Sequence, residues 1–163
     1  MKKIKLTRGK FALVDDEDYE ELSQYKWAAN KSYIQLKDGS FANYFYAFRS
    51  DNKNRQQIRM HRLIMGVEKF TWVDHADGNA LNNQKKNLRV CNRVENARNR
   101  KVSTKTKTGY KGVFSVGNKY VAKIGLDNRL IHLGTYPTKK EAARVYDKAA
   151  KELFGEFAKP NFN

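Results

Sequence analysis

The sequence predicts an α+β protein made of small modules, and three observations lead there. Aromatic and β-branched runs separated by turn signals fill the first third. A strand, turn, strand and helix pattern occupies the middle. A helix with both ends marked closes the chain after three strand-like runs. The layout is a small β-rich N-terminal module over residues 1–60, a hairpin-and-helix motif over 61–100, a basic linker over 101–108, and a three-stranded antiparallel sheet packed on one helix over 109–163.

In the N-terminal module, Asp15 or Asp16 opens a short helix expected to reach about Trp27, with acidic residues in its first turn. Tyr33-Ile34-Gln35-Leu36 and Tyr44-Phe45-Tyr46-Ala47-Phe48 read as strands joined through Lys37-Asp38-Gly39-Ser40. Tyr19, Tyr25, Trp27, Tyr33, Tyr44 and Phe48 are expected in the core. His61 to Met65 reads as a short helix, with His61 in a structural role.

In the middle motif, Thr71 to His75 is a β-prone run ending in adjacent Asp74 and His75. Asp77-Gly78 turns the chain, and the Asp77 side chain serves that turn. Leu88-Arg89-Val90 returns as a second strand, and Asn92 with Glu95 three residues on caps a helix. Residues 101–108 are Ser, Thr and Lys apart from Val102, which suits an extended tether. Beyond it, Tyr110 to Val116, Tyr120 to Leu126 and Arg129 to Leu133 read as strands joined at Gly117-Asn118 and Asp127-Asn128. Thr138-Lys139-Lys140-Glu141 forms a capping box after Pro137, and Gly155 is the stop. Ala142, Tyr146, Ala149, Ala150 and Leu153 make the expected apolar face of that helix.

Charge narrows the partners. Lys and Arg number 33 against 17 Asp and Glu, and half of the net +16 lies in residues 101–163. With 40% hydrophobic residues, that charge sits on folded modules, and it calls for a polyanion, nucleic acid first. No apolar run approaches the ~18 residues of a membrane span, and none of signal-peptide length follows the basic N-terminus. Cys91 is the only cysteine, which excludes an internal disulfide and a cysteine-rich zinc site. A soluble, intracellular protein is expected.

Chemistry concentrates in the middle motif. Asn96 falls one turn into the helix, where its side chain can point back at the hairpin. Asp74 and Asn96 would then offer two oxygens to a hard cation such as Mg²⁺, which commonly takes only one or two protein oxygens. His75, on the other face of the pleat from Asp74, can sit beside the cation without binding it.

The stretch Val73-Asp74-His75-Ala76-Asp77-Gly78-Asn79, with Asn87-Leu88-Arg89 and Asn96, resembles the HNH (ββα-metal) nuclease motif of phage and intron-encoded homing endonucleases. The resemblance implies that Asp74 and Asn96 bind the metal, that His75 is the general base, and that Asn87 braces the motif and orients the histidine. Residues 1–60 resemble the β-rich segment that often precedes this motif in phage members, through Leu13-Val14-Asp15 and then His61-Arg62-Leu63-Ile64.

Residues 109–163 resemble a second family, the APETALA-two (ethylene-response-factor type) DNA-binding domain. The matching residues are Tyr110-Lys111-Gly112-Val113, Tyr120-Val121-Ala122-Lys123-Ile124, Leu133-Gly134-Thr135-Tyr136, Glu141-Ala142-Ala143, Ala149-Ala150, Gly155 and Asn161. In that family the sheet lies in the major groove. Where plant members of that family carry arginines and tryptophans on the DNA-facing strands, this sequence has Lys111, Phe114, Asn118, Lys119, Lys123 and His132, with Arg129 nearby, so phosphate contact is expected more than base readout. The candidate DNA contacts are Arg93, Arg98, Arg100, Lys101, Lys105, Lys107, Lys111, Lys119, Lys123 and Arg129, and Arg89 is a further candidate for phosphate.

Together these resemblances imply a Mg²⁺-dependent endonuclease, with Mn²⁺ as a substitute and no zinc. It would act as a monomer on double-stranded DNA, in a phage-infected or bacterial host, and nick one strand. Two alternatives stand beside it. One is a non-catalytic DNA-binding regulator on a nuclease scaffold. The other is a basic RNA-binding protein, which lacks the aromatic signature of RNA-recognition sheets.

Overall fold

The computed structural model describes all residues except 36–40, 52, 54–55, 69, 100–105 and 163, and it is an α+β fold of several small sheets and four helices among the described residues. The chain forms two compact units, Met1–Asn92 and Arg93–Asn163. The expected turn at Lys37–Ser40, most of the linker, and Arg100, Lys101 and Lys105 lie outside the described residues. Among the described residues no helix is long and apolar enough to cross a membrane.

In the first unit, β1 (Lys2–Lys5) pairs antiparallel with β2 (Phe11–Val14), and α1 (Asp16–Ser23) follows with Asp16, Glu17 and Asp18 in its first turn. The helix ends before the expected Trp27. Trp27 instead enters the core, and its indole N–H donates to the Leu22 carbonyl at 2.7 Å, a bond formed across the end of the helix. β3 (Ala28–Gln35), β4 (Phe41–Asp51) and β5 (Gln56–Arg59) form one antiparallel sheet. Trp27 is buried, and Tyr19 packs against the core, but Tyr25, Tyr33 and Tyr44 are exposed. The expectation that all six aromatics are core fails because Tyr25 and Tyr33 hold cations over their rings, Arg49 at 4.1 Å and Lys31 at 4.9 Å.

The core joins Ile4, Leu6, Ala12, Val14, Leu22, Trp27, Ala29, Ala47 and Met60. Met60 opens α2 (Met60–Ile64), and Leu63, Ile64 and Leu81 also pack on this cluster, so the sheet and the following motif share one interior. β6 (Trp72–His75) and β7 (Leu88–Cys91) make a two-stranded ladder in which Asp74 faces Arg89 and His75 faces Leu88. The loop between them is tied to β2. Leu13 N–H donates to the Leu81 carbonyl, Asn83 N–H donates to the Leu13 carbonyl, and both bonds are 2.8 Å. Asp15 accepts from the Gln84 side chain and the Lys85 N–H.

The second unit begins with α3 (Arg93–Arg98). Its sheet holds β8 (Val113–Val116), β9 (Lys119–Leu126) and β10 (Arg129–Tyr136) in the order β10-β9-β8, all antiparallel. Asp127 and Asn128 both have positive φ, as a tight hairpin turn of this kind requires. α4 (Lys139–Phe154) carries the expected capping box between Thr138 and Glu141, and Gly155 caps its end. Ala122 and Ile124 face it, with Val113, Ala142, Ala143, Tyr146, Ala150 and Phe154 in the buried clusters. Leu153, expected on that face, is 42% exposed, and Phe154 takes the buried place at i+4 from Ala150. Gly112 sits against this face at φ +72°, where a Cβ would fall 2.0 Å from the Tyr146 ring. Asn161 clamps the terminus. It accepts from Lys111 N–H, and Asp147 accepts from its backbone and side-chain N–H groups.

Candidate active site

The hairpin brings an acid and an imidazole to one place and binds each of them. Asp74 and His75 close β6, both almost fully buried. Opposite residues of an antiparallel pair lie close enough for side-chain pairing. Arg89 uses that proximity: its Nε and Nη2 donate to Asp74 Oδ2 at 3.1 and 2.7 Å. Arg89 is therefore a partner of the acid, where the sequence suggested only a phosphate contact.

His75 Nε2 lies 3.4 Å from Asn83 Oδ1. Asn83 Nδ2 donates to the Leu81 carbonyl, which turns its oxygen toward the imidazole. A carboxamide oxygen only accepts, so in this contact Nε2 is the donor and the neutral ring carries its proton there. Burial lowers the His75 pKa below its ordinary value, against the raising effect of the Asn83 bond, Asp77 and Asp74. Burial therefore disfavours the charged form of the ring.

Asn87 acts on the loop after His75. Its Oδ1 accepts from Asp77 N–H, and its Nδ2 donates to Asp77 Oδ1 and the Asn82 carbonyl at 3.0 and 2.8 Å. Ala76 N–H donates to the Asn87 carbonyl, and Gly78 N–H donates to the His75 carbonyl. Burial pushes the Asp77 carboxyl up, but bonds from Asn82, Asn79 N–H and Asn87 outweigh it and hold it low. Asp77 thus serves the turn, as expected.

Two further residues join the site without having been read there. Asn83 is fully buried and faces His75; its signal in the sequence is an Asn pair just after the turn, which chemistry alone does not single out. His61 stands edge-on to His75, with ring centroids 5.1 Å apart at 82°, and Tyr46 lies 5.9 and 6.4 Å from the two rings. Burial, His75, Arg59 and Arg62 together push the His61 pKa down to about 3.

Asn96 lies half-buried on α3, within the second unit. Arg98 of the same helix stacks on Phe154 at 4.3 Å and receives the Lys111 ammonium on its carbonyl at 2.6 Å. Arg98, Lys111 and Arg129 line one cleft of this unit with Ile124, Tyr146 and Phe154. Lys119 and Lys123 share the other, open sheet face with Phe114 and His132, and the Lys123 ammonium lies 5.9 Å over Phe114. Arg93 and Lys107 are exposed.

A buried acid–imidazole pair at the end of a hairpin whose loop is braced by asparagines is the hairpin half of the ββα nuclease class. The chain belongs to the HNH endonuclease family. It is 32% identical over 162 residues, which is 94% of this chain and 76% of the relative, to an HNH endonuclease of Acanthamoeba polyphaga mimivirus that is itself uncharacterized. A second uncharacterized HNH endonuclease of that virus is 33% identical over 86 residues, half of this chain and 26% of the relative. A shorter match, 47% identical over 49 residues, covers 29% of this chain and 15% of the dehydration-responsive element-binding protein 2A of Arabidopsis thaliana. No family profile matches the chain.

Proposed function

We propose that this chain is a Mg²⁺-dependent DNA endonuclease of homing type that cuts one strand of a duplex, with His75 as general base. The observation that carries the reading is the setting of His75: buried, with its charged form disfavoured and its Nε2 donating to Asn83, and next to Asp74. His75 Nδ1 takes the proton of a water as its oxygen bonds phosphorus and the bond to the 3′ oxygen breaks. The departing 3′ oxygen takes a proton from solvent water, so the products are a 5′-phosphate and a 3′-hydroxyl.

Asp74 and Asn96 would hold the metal; a carboxylate and a carboxamide oxygen are hard donors of the kind magnesium takes, and Mn²⁺ can replace it. Held by these residues, a cation would supply positive charge against the charge that grows on the phosphate during cleavage. Arg89 fixes the Asp74 carboxylate beforehand, and Asn87 keeps the loop behind His75 from moving. A single site cuts a single strand, so a monomer nicks.

Duplex DNA is the proposed partner, with the C-terminal sheet as an APETALA-two-type anchor. Lys119 and Lys123 on its open face and exposed Arg93 and Lys107 would contact phosphate, as would Arg100, Lys101 and Lys105 of the linker region. Arg98, Lys111 and Arg129 would do so from the cleft they line.

One observation favours the regulator as a second reading. Two hydrogen bonds from Arg89 fall on the acid assigned to the metal, and if that pair persisted on DNA the chain would bind without cutting. Supercoiled plasmid with Mg²⁺ separates the two. The nuclease converts it to nicked circle and stops when EDTA is added; the regulator shifts the plasmid on a gel and leaves it intact.

A further inference from the structure

We propose that His61 is a second imidazole of this site, whose Nδ1 holds the attacking water beside His75. The inference rests on the nuclease reading and adds a residue to it.

His61 is 3% exposed, and its Nδ1 is buried with no hydrogen-bond partner among the described residues. Buried polar atoms are nearly always bonded, and leaving one unmet costs about 1–3 kcal/mol. Packing alone would favour Leu or Met here, beside the fully buried Met60. The anomaly therefore points to a partner from outside the protein.

Its position says which partner. The ring contact with His75 places His61 at the proposed base, and His61 is scarcely deeper than His75, which is 6% exposed. Water is the smallest partner that could meet so enclosed an atom, and a buried water needs two or more polar partners. The two imidazoles supply them. Tyr46, with the Arg59 guanidinium 5.5 Å over its ring, walls the same place. Because His61 stays neutral, it fixes the water without adding charge; His75 takes the proton, and His61 neither gains nor loses one.

The test compares His61→Leu and His61→Asn with the wild type in the full chain, by melting temperature, duplex affinity and single-turnover cleavage with Mg²⁺. The Leu variant should melt at or above the wild-type temperature, bind DNA equally, and cleave about 100-fold more slowly. The Asn variant places an amide near the Nδ1 position and should recover several-fold of that rate. His61→Phe keeps the ring volume and replaces Leu in the comparison if Leu lowers the melting temperature. Wild-type cleavage by the Leu or Phe variant, no recovery with Asn, or a rate that falls only with the folded fraction overturns the proposal. A wild-type protein that does not cleave overturns the nuclease reading itself, and is told apart by that control.

Discussion

At the scale of single residues, the neighbours of His75 set its chemistry. Asn83 offers a neutral acceptor to Nε2. Replacing it by Asp puts a negative charge there, which favours the imidazolium and raises the His75 pKa. The acid limb of the cleavage rate in Asn83→Asp should therefore move to higher pH, as read from a pH profile of single-turnover rates; an unmoved limb contradicts the assignment. His61 makes a stability prediction. Its pKa falls from 6.5 to about 3 on folding, so below pH 6.5 the unfolded chain binds a proton that the folded one refuses. Stability is thus intact above 6.5 and should fall as pH drops toward 3, by at most about 1.4 kcal/mol per pH unit from this group. Urea melts from pH 7 to 4 should show that slope, and His61→Leu should flatten it.

At the scale of elements, local signals were legible and distant ones were not. The box at Thr138 and Glu141, the stop at Gly155 and the turn at Asp127-Asn128 depend on residues a few positions apart, and all formed where read. Thr138→Ala should cost about 1 kcal/mol, measured by urea melts, since it frees the Glu141 N–H. The placement of Asp74 and His75 at the end of β6 was likewise legible, because the turn defines one short hairpin. Arg89 was visible only as charge; its bond to Asp74 depends on the register of β6 against β7, which the sequence does not display. Asn83 is held by β2, far back along the chain, and His61 meets His75 only because α2 folds back across residues 65–71; neither contact follows a local pattern. The early end of α1 has the same origin, since the burial of Trp27 is decided by the tertiary core.

At the scale of the whole molecule, charge governs binding. With a net +16, phosphate neutralisation should dominate affinity, so log K should fall linearly with log salt. Removing Lys119 and Lys123 together should reduce that slope by about 2 and weaken binding on all sequences alike. Filter binding across a salt series measures both; an unchanged slope would take the open sheet face out of the interface. The catalytic claim is tested most directly by the single-turnover rate of strand cleavage for His75→Ala against wild type, at saturating Mg²⁺ and DNA. The rate should fall by about 10²–10⁴ with duplex affinity unchanged. A variant that cleaves as fast as the wild type would contradict His75 as the base.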